Sequence, residues 1–419
     1  MTIPSSLLLV LFLTGAAAAE ERSYTLEDAA AVALQNDSRL LSSEQDRIIA
    51  GERVREAKYL FLPEFGLQAS ATKFEARYPF ALSQDFRSLQ LFPGTPENIY
   101  SGRGYMHLSL YEGRRTINTL RLAQAAQKQA NSNYDSVSMD ILLAVRDSFY
   151  RLLQAQEVFE SAKAAGEAVE ALAGSTRLGP WERIELEGLL GGARSRTTAA
   201  QHKLDLARLR FIKTLNIEFD TPFRVTGTIE PKPVTIENRN AVLWALELRP
   251  ELQSETYKAE MDAISVNLAM GRRYPTLFIA GDYELTGQRF PLKQNNWDAG
   301  IGIKIPFSYD YFTQLRQKKA EQRQGQLKRA ALQDQVRLEV RQSYENLAFW
   351  QKERPLREAH YRKVQALYDE ARSADGSALA KVRALVGLLD LRQAATAAAV
   401  EQVLAQAKLE RAVGRQFNP

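Results

Sequence analysis

The sequence has 419 residues, of which 55 are Lys or Arg and 50 are Asp or Glu, so the formal net charge is only +5. Charges of both signs are interspersed along the chain, which is typical of a solvated surface and argues against a nucleic-acid-binding protein. Cysteine is absent, which excludes disulfides, thiolate metal sites and a cysteine nucleophile.

The N-terminal segment predicts an export signal. An apolar run from Leu7 to Leu13 is followed by small residues and then, from Glu20 onwards, by charged residues. This order predicts a secretory signal peptide over 1–19, although no Lys or Arg precedes the apolar run. The run is too short to cross a bilayer, and no later stretch has the roughly 18 apolar residues of a transmembrane helix. We expect a mature protein outside the cytoplasm, either soluble or inserted in a membrane as strands.

The rest of the chain contains two copies of one unit. A shift of 212 residues aligns Ala33 with Ala245 and Pro63 with Pro275, and shifts of 195 and 199 align the later parts. The changes of shift place 17 extra residues within 72–104 of the first copy and 4 extra near Ser373 of the second. A repeat of this length indicates a duplicated structural half.

The repeat sets the predicted domain boundaries. We predict a first repeat over 20–219, a linker over 220–237 and a second repeat over 238–419. Each repeat begins with a helical stretch that stops at a proline.

A change of apolar period from 3.6 to 2 follows each proline. It predicts strands over 64–74, 104–111, 276–286 and 297–306. In the first strand, apolar Phe65 and Leu67 alternate with polar neighbours, and the other strands repeat the pattern. Segments of about ten residues with one apolar face are typical of transmembrane β-strands.

Aromatic residues cluster at the ends of these strands. We assign Phe74, Tyr78, Phe80, Tyr105, Phe290 and Trp297 to the loop side, and Tyr111, Tyr274, Phe307, Tyr309 and Tyr311 to the helix side. Two such girdles suit the two interfaces of a bilayer. The alternative is a pair of ordinary hairpins packed on the helices of a soluble protein.

Four strands cannot close into a barrel, and lipid does not tolerate an open sheet edge. A membrane-inserted chain must therefore oligomerise. Two copies would give eight strands and three copies twelve, and the strand pattern does not decide between them.

Long helices follow the strands, over 113–177 and 311–372. The first contains no proline and is rich in residues with high helix propensity. Apolar residues spaced by three and four, from Ile117 to Val169, form one seam with small and polar residues in its gaps. We predict coiled-coil packing against a neighbouring helix.

Nothing in the sequence indicates an enzyme. The three histidines His107, His202 and His360 have no metal-ligand spacing, and neither a phosphate-binding loop nor a nucleophile elbow is present. We predict no catalytic, metal-binding or cofactor-binding residues.

The order of elements resembles one family. The most specific marks are the two strand-to-helix joints, HLSLYEG at 107–113 and GIKIPFS at 302–308, and the paired helix segments DSFY at 147–150 and QSY at 342–344. Together with the duplication, they resemble the TolC-like outer membrane efflux proteins of Gram-negative bacteria.

The resemblance implies an α+β membrane protein. Each of its two structural repeats would contribute one β-hairpin to a shared 12-stranded barrel of a homotrimer in outer-membrane lipid. The long coiled-coil helices would form a periplasmic α-helical tunnel, with 220–237 and the C-terminal tail as a belt around it.

The resemblance also implies a passive duct of a tripartite efflux or type I secretion system. Its partners would be a periplasmic adaptor, or membrane fusion protein, and an inner-membrane pump of the RND or ABC type. The alternative that we retain is a soluble periplasmic coiled-coil adaptor or scaffold protein. The sequence does not specify the cargo.

The turns after the long helices are the candidate site. They comprise Leu178, Gly179, Pro180 and Trp181 in the first repeat and Asp375, Gly376 and Ser377 in the second. Glycine ends a helix at little cost and proline or serine starts the next one, which by itself accounts for much of this sequence. By resemblance, the same turns form the periplasmic tip, where the adaptor docks and the pore begins.

Three nearby side chains have two interpretations each. Trp181 either contacts a partner or packs on its own helix. Lys381 and Arg383 either face the pore, which would give a basic entrance, or point outwards into solvent. Some relatives carry acidic residues at the gate in the second repeat, where this sequence has Ala380, Lys381 and Arg383 instead.

Overall fold

The computed structural model describes residues 22–73, 98–173, 179–371 and 377–417. The predicted signal peptide over 1–19 lies outside these ranges, as do Phe74, Tyr78 and Phe80 of the predicted loop-side girdle. The described residues form eight helices and six strands.

The helices are α1 (Leu26–Asn36), α2 (Ser38–Tyr59), α3 (Arg115–Ala173), α4 (Pro180–Leu215), α5 (Asn238–Leu248), α6 (Pro250–Gly271), α7 (Tyr311–Ala371) and α8 (Ala378–Val413). The strands are β1 (Arg22–Tyr24), β2 (Glu64–Lys73), β3 (Asn98–Glu112), β4 (Phe223–Val225), β5 (Thr276–Gly287) and β6 (Gln294–Lys304).

The duplication is structural. Helices α1 and α5 each have 11 residues, α2 and α6 each have 22, and α4 and α8 each have 36. Burial follows the same correspondence, since Ala33 and Ala245 are both fully buried and Val145 and Val340 are too. The predicted fold class, with two structural repeats of long helices and β-hairpins, is confirmed.

The chain divides into two compact units, each of which takes segments from both repeats. Unit 1 consists of Met1–Ser43, Tyr134–Pro250 and Gln333–Pro419, and unit 2 of Glu44–Asn133 and Glu251–Leu332.

An aromatic cluster forms the core of unit 1. Phe149 of α3 and Phe211 of α4 are buried, with their ring centroids 6.2 Å apart, and the Tyr24 ring lies 6.4 Å from Phe211. Tyr24 ends β1, which pairs in parallel with β4. Each buried ring stabilises the unit by about 1.5–3 kcal/mol.

Two ion pairs, each with one buried member on α8, connect α8 to α3 in unit 1. Arg146 donates to Glu410 at 2.5 Å, and Arg411 donates to Asp140 at 2.7 Å. The side chains of Glu410 and Arg411 are both almost fully buried. Removing Arg146 or Asp140 would leave the buried charge of Glu410 or Arg411 without this partner and would therefore destabilise the unit.

The break between α1 and α2 is held by Asp37. Its carboxylate accepts hydrogen bonds from the Arg39 backbone N–H at 2.8 Å and from the Arg39 guanidinium at 3.1 and 2.8 Å. The Arg39 guanidinium therefore holds the pKa of Asp37 below its usual range. In the second repeat the equivalent break is followed by Pro250, which starts α6.

Unit 2 contains an antiparallel four-stranded sheet in the order β2-β3-β5-β6 among the described residues. Strand β3 begins at Asn98, earlier than the predicted 104, because it is a central strand that pairs with both neighbours. The earlier start was not predicted, because small residues, including Gly102 and Gly104, interrupt the alternation of apolar residues in this strand. Strand β6 ends at Lys304, short of the predicted 306, since Pro306 has no N–H to donate.

The first long helix also differs from its prediction at its start. It begins at Arg115 and not at 113, because Gly113 and Arg114 both have left-handed backbone angles, with φ of 63° and 65°. The predicted seam is wrong in the first turn, where Ile117 is 46% exposed and Asn118 is buried.

Candidate functional sites in the sheet and the helix turns

The strand register places the apolar residues of all four strands on one face. Phe65 lies opposite Met106, Met106 opposite Gly281, and Gly281 opposite Ala299. Because directly opposed residues share a face, the same face carries the residues that alternate with these: Leu67, Ala69, Ala71, Leu108, Leu277, Ile279, Tyr283, Leu285, Trp297, Ile301 and Ile303. We call it the apolar face.

Much of the apolar face is uncovered in the single chain. Leu67 is 94% exposed, Trp297 76% and Ile301 72%. A contiguous exposed apolar surface of this kind marks contact with lipid or with another protein. The face is thus a functional surface of the chain.

The opposite face is polar. It carries a salt bridge between Arg103 and Asp282 and a hydrogen bond from the Ser101 hydroxyl to Glu284, both between β3 and β5. The salt bridge neutralises Arg103 and Asp282, and the Ser101 hydroxyl gives Glu284 a hydrogen bond, so this face suits an aqueous environment.

Aromatic rings cover glycines on the polar face. A Cβ added to Gly66 would lie 2.3 Å from the Tyr105 ring, and one added to Gly302 would lie 2.4 Å from the Phe278 ring. Tyr105 is opposite Gly66 on β2 and Asp282 on β5. The assignment of Tyr105 to the loop-side girdle is therefore wrong, since its ring lies within the polar face.

Other aromatic residues do lie at the loop end of the sheet. The rings of Tyr100 and Phe290 are 5.0 Å apart. Trp297, which was assigned to the loop side, lies instead opposite Tyr283 in a middle row of the apolar face. At the helix end, Phe307 and Tyr309 are fully exposed.

Both edges of the described sheet are open. Strand β2 pairs only with β3, and β6 only with β5, within the described residues. Each edge presents unpaired backbone N–H and C=O groups, which can pair with a strand of another chain.

The turn before α4 is described from Gly179 onwards. Gly179 is the N-cap residue, its N–H donates to Glu182 at 3.1 Å, and Pro180 is the first helical residue. Trp181 follows and is 83% exposed. Leu178 lies outside the described residues.

The turn before α8 is described from Ser377, which is the N-cap residue of that helix. Asp375 and Gly376 lie outside the described residues. Lys381 is half-buried, whereas Arg383 is exposed and forms an ion pair with Glu185 of α4.

Charges balance at the described starts of α4 and α8. The carboxylates of Glu182, Glu185 and Glu187 offset the cations of Arg183, Lys381 and Arg383. Only the two cations of α8 were predicted from the sequence, because the partner Glu185 lies on a helix about 200 residues away in the sequence. A buried cluster that includes Leu186 and Val382 packs the two helix starts together.

The described residues contain no group of three or more His, Asp or Glu side chains arranged to hold a metal ion. None of the helices in the described ranges combines the length and apolar character that a membrane span requires.

Comparison with known proteins gives matches in structure only. No protein-family model matches the sequence, and no curated protein matches it either. The CmeC outer membrane channel of Campylobacter jejuni matches with a TM-score of 0.78 and 14% identity, over 94% of this chain and 87% of that chain. The outer membrane protein VceC of Vibrio cholerae matches with a TM-score of 0.74 and 16% identity, over 94% and 97%.

The chain has the TolC-like fold. The MtrE outer membrane channel of Neisseria gonorrhoeae, in its open state, matches as well, with a TM-score of 0.73 and 14% identity over 94% of this chain and 89% of that chain. The resemblance identified from the sequence is thus confirmed at the level of the fold. The TolC-like fold accounts for the duplicated order of helices and hairpins along almost the whole described chain.

Proposed function

We propose that this protein is an outer-membrane channel, which acts as a passive homotrimeric duct of a tripartite efflux or type I secretion system. The observation that carries the proposal is the apolar face of the sheet, to which all four strands contribute and which the single chain leaves exposed. Outer-membrane lipid would cover this face. The TolC-like fold, which is that of the outer membrane channels CmeC and MtrE, supports the same conclusion.

The open sheet edges support assembly into a trimer. The β2 edge of one protomer would pair with the β6 edge of the next, and three copies would close a barrel of twelve strands. Closure satisfies every backbone group at the edges, as a lipid environment demands. The polar face, with its Arg103–Asp282 salt bridge, would then line the water-filled interior.

A duct needs partners that supply energy, and the helix turns are the candidate docking site. We place contacts to a periplasmic adaptor at the turns, which comprise Leu178, Gly179, Pro180, Trp181, Asp375, Gly376 and Ser377. The exposed Trp181 is the strongest candidate among them, because large aromatic residues dominate binding at interfaces. The adaptor would in turn connect the duct to an inner-membrane pump.

The entrance next to these turns would have little net charge. Arg383 is paired with Glu185, and three carboxylates offset three cations nearby. We therefore propose an entrance close to neutral, whether Lys381 and Arg383 face the pore or the solvent.

The linker would form part of a belt around the helices of unit 1. Gln351 of α7 donates to the Val234 carbonyl at 3.0 Å, and the Arg415 guanidinium lies 5.5 Å from the centre of the Trp244 ring. These contacts tie the linker and the C-terminal tail to the helices.

The alternative function is a soluble periplasmic coiled-coil adaptor or scaffold. Long helix pairs suit such a protein, but a solvated sheet with Leu67, Trp297 and Ile301 largely exposed does not. The alternative leaves the apolar face without a role.

The deciding experiment measures the mass and heat-modifiable mobility of the mature protein, extracted from outer membranes in mild detergent. The proposal expects a species of three times the monomer mass that dissociates only on heating. Release of a monomer without detergent would refute the duct and favour the soluble scaffold.

A further inference from the structure

A cavity of about 430 Å³ lies at the helix end of the sheet within unit 2. It opens on the polar face, because His107, Phe278 and Lys304 belong to the residues that alternate with the apolar face. Its volume is within the range of sites for small molecules. The cavity is complete within one chain, so an inference about it does not depend on the proposed duct.

Two backbone segments approach each other closely beside this cavity, at Gly113 and at Gly271, which lines it. A Cβ added to Gly113 would lie 2.7 Å from the carbonyl oxygen of Gly271, and Gly113 also has a positive φ of 63°. The two glycines bring the start of α3 next to the end of α6. Arg115 and Arg272, which follow them, therefore both line the cavity.

Three cations face only one anion in the cavity. Arg115, Arg272 and Lys304 line it, and among the described residues Glu112 is the only carboxylate that does so. Glu112 and Lys304 lie on either side of Thr276 in the sheet. In the described part of the chain, Glu112 forms no ion pair with any of the three cations.

The hydrogen-bond partners described for these residues are neutral, so they do not reduce the excess of positive charge in the cavity. Glu112 accepts a hydrogen bond from the Thr116 hydroxyl at 3.2 Å, and Arg272 donates to the neutral amide of Gln314. The Ser109 hydroxyl lines the same cavity and adds a hydrogen-bond donor, whereas the Thr276 hydroxyl donates to the Lys304 carbonyl oxygen at 3.4 Å. Cations and a hydroxyl around one concave space are the donor set that binds phosphate or carboxylate groups.

We propose that this cavity, which we call the junction cavity, binds a small oxyanion, that is, a soluble molecule with phosphate or carboxylate groups. A soluble ligand fits better than a lipid headgroup, since the cavity opens on the polar face and not on the apolar one. Arg115, Arg272 and Lys304 would neutralise the ligand, and Ser109 would donate a hydrogen bond to one of its oxygens.

Titration calorimetry tests the proposal. The mature protein in detergent is titrated with pyrophosphate at constant ionic strength, and we expect saturable binding. The double variant Arg115→Gln with Lys304→Gln should bind at least about tenfold more weakly, because it loses two charge-assisted contacts. The charge-preserving variant Arg115→Lys with Lys304→Arg should keep most of the affinity.

A matched control separates the junction cavity from general charge effects. Lys319 and Lys328 are exposed cations of unit 2 that do not line the cavity. The variant Lys319→Gln with Lys328→Gln removes the same charge and should bind pyrophosphate like the parent protein. An equal loss in both double variants, or no saturable binding to the parent, would overturn the proposal.

The outcomes for the junction cavity and for the duct are distinct. Mobility before and after heating is recorded for every variant, so that a loss of binding is interpreted only for a protein that assembles like the parent. If the parent binds pyrophosphate but forms no heat-labile oligomer, the junction cavity stands and the duct fails.

Discussion

Replacing Leu67 with lysine tests whether the apolar face contacts lipid. Leu67 is the fourth residue of β2, in the middle of the sheet, and lies in one row with Gly104, Tyr283 and Trp297. The side chain is 94% exposed in the single chain. A substitution here removes almost no contact within the protein, so any large effect must come from the surroundings.

Lipid and water around the apolar face predict different free-energy costs for the Leu67→Lys substitution. A lysine on the lipid face near the bilayer midplane costs about 2–4 kcal/mol. A trimer carries three copies, so the cost is about 6–12 kcal/mol for the assembly. On a solvated surface, the same substitution changes the free energy of unfolding by less than about 0.5 kcal/mol.

Urea unfolding of the protein in phospholipid vesicles measures this difference. The Leu67→Lys variant should unfold at a much lower urea concentration than the parent, or fail to insert. Ser70→Lys is the matched control, because Ser70 lies on the polar face of the same strand, opposite Ser101. Equal midpoints for the parent and both variants would refute the assignment of the apolar face to lipid.

The remaining predictions concern three other parts of the chain. Trp181→Ala should weaken binding to a periplasmic adaptor by about tenfold or more, measured by surface plasmon resonance, because an exposed aromatic anchor is lost. Gly66→Ala should destabilise the sheet by about 1–3 kcal/mol in urea unfolding, since its Cβ would lie 2.3 Å from the Tyr105 ring. The double variant Gly66→Phe with Tyr105→Gly should recover most of this loss. Asp37 has a lowered pKa when folded, so its contribution to stability is present above its ordinary pKa of about 4 and is lost as the pH falls through the lower folded value. Asp37→Asn should remove this part of the acid destabilisation, measured as the unfolding midpoint against pH.

Each of these predictions has a matched control. Phe219 is an exposed aromatic residue outside the turns, and Phe219→Ala should leave adaptor binding unchanged. A Cβ at Gly300 meets nothing within 4 Å, so Gly300→Ala should be tolerated. Asp220→Asn removes an exposed carboxylate and should keep the parent's pH dependence. A control that behaves like its test variant would contradict the corresponding prediction.

Local patterns were enough to predict most of the fold. The alternation in β5 is visible in the sequence because Leu277, Ile279 and Leu285 are large and apolar, and the prolines that end the preceding helices are equally visible. The duplication was predictable for a related reason, since the same small residues, such as Ala33 and Ala245, recur where helices pack most closely and are fully buried.

Features that depend on pairing between distant segments were not predictable in this way. The early start of β3 follows from its central place between β2 and β5, which overrides the weak strand propensity of Gly102 and Gly104. The junction cavity combines Arg115, Arg272 and Lys304 from separate elements. No spacing in the sequence relates these three residues, so only the folded chain brings them together.

The pairing of an aromatic residue with a glycine on the polar face is a long-range feature that leaves a trace in the sequence repeat. The shift of 212 residues makes Gly66 of β2 equivalent to Phe278 of β5. The ladder pairs Gly66 with Tyr105 and Phe278 with Gly302, so the aromatic residue and the glycine have exchanged strands between the two repeats. A ring lies flat over the neighbouring strand only where that strand lacks a Cβ. The exchange between the two repeats is therefore a trace of this packing. The shift of 195 matches Tyr105 with Gly300, two residues from the Gly302 that pairs with Phe278, so the repeat indicates the exchange but only the ladder gives its register.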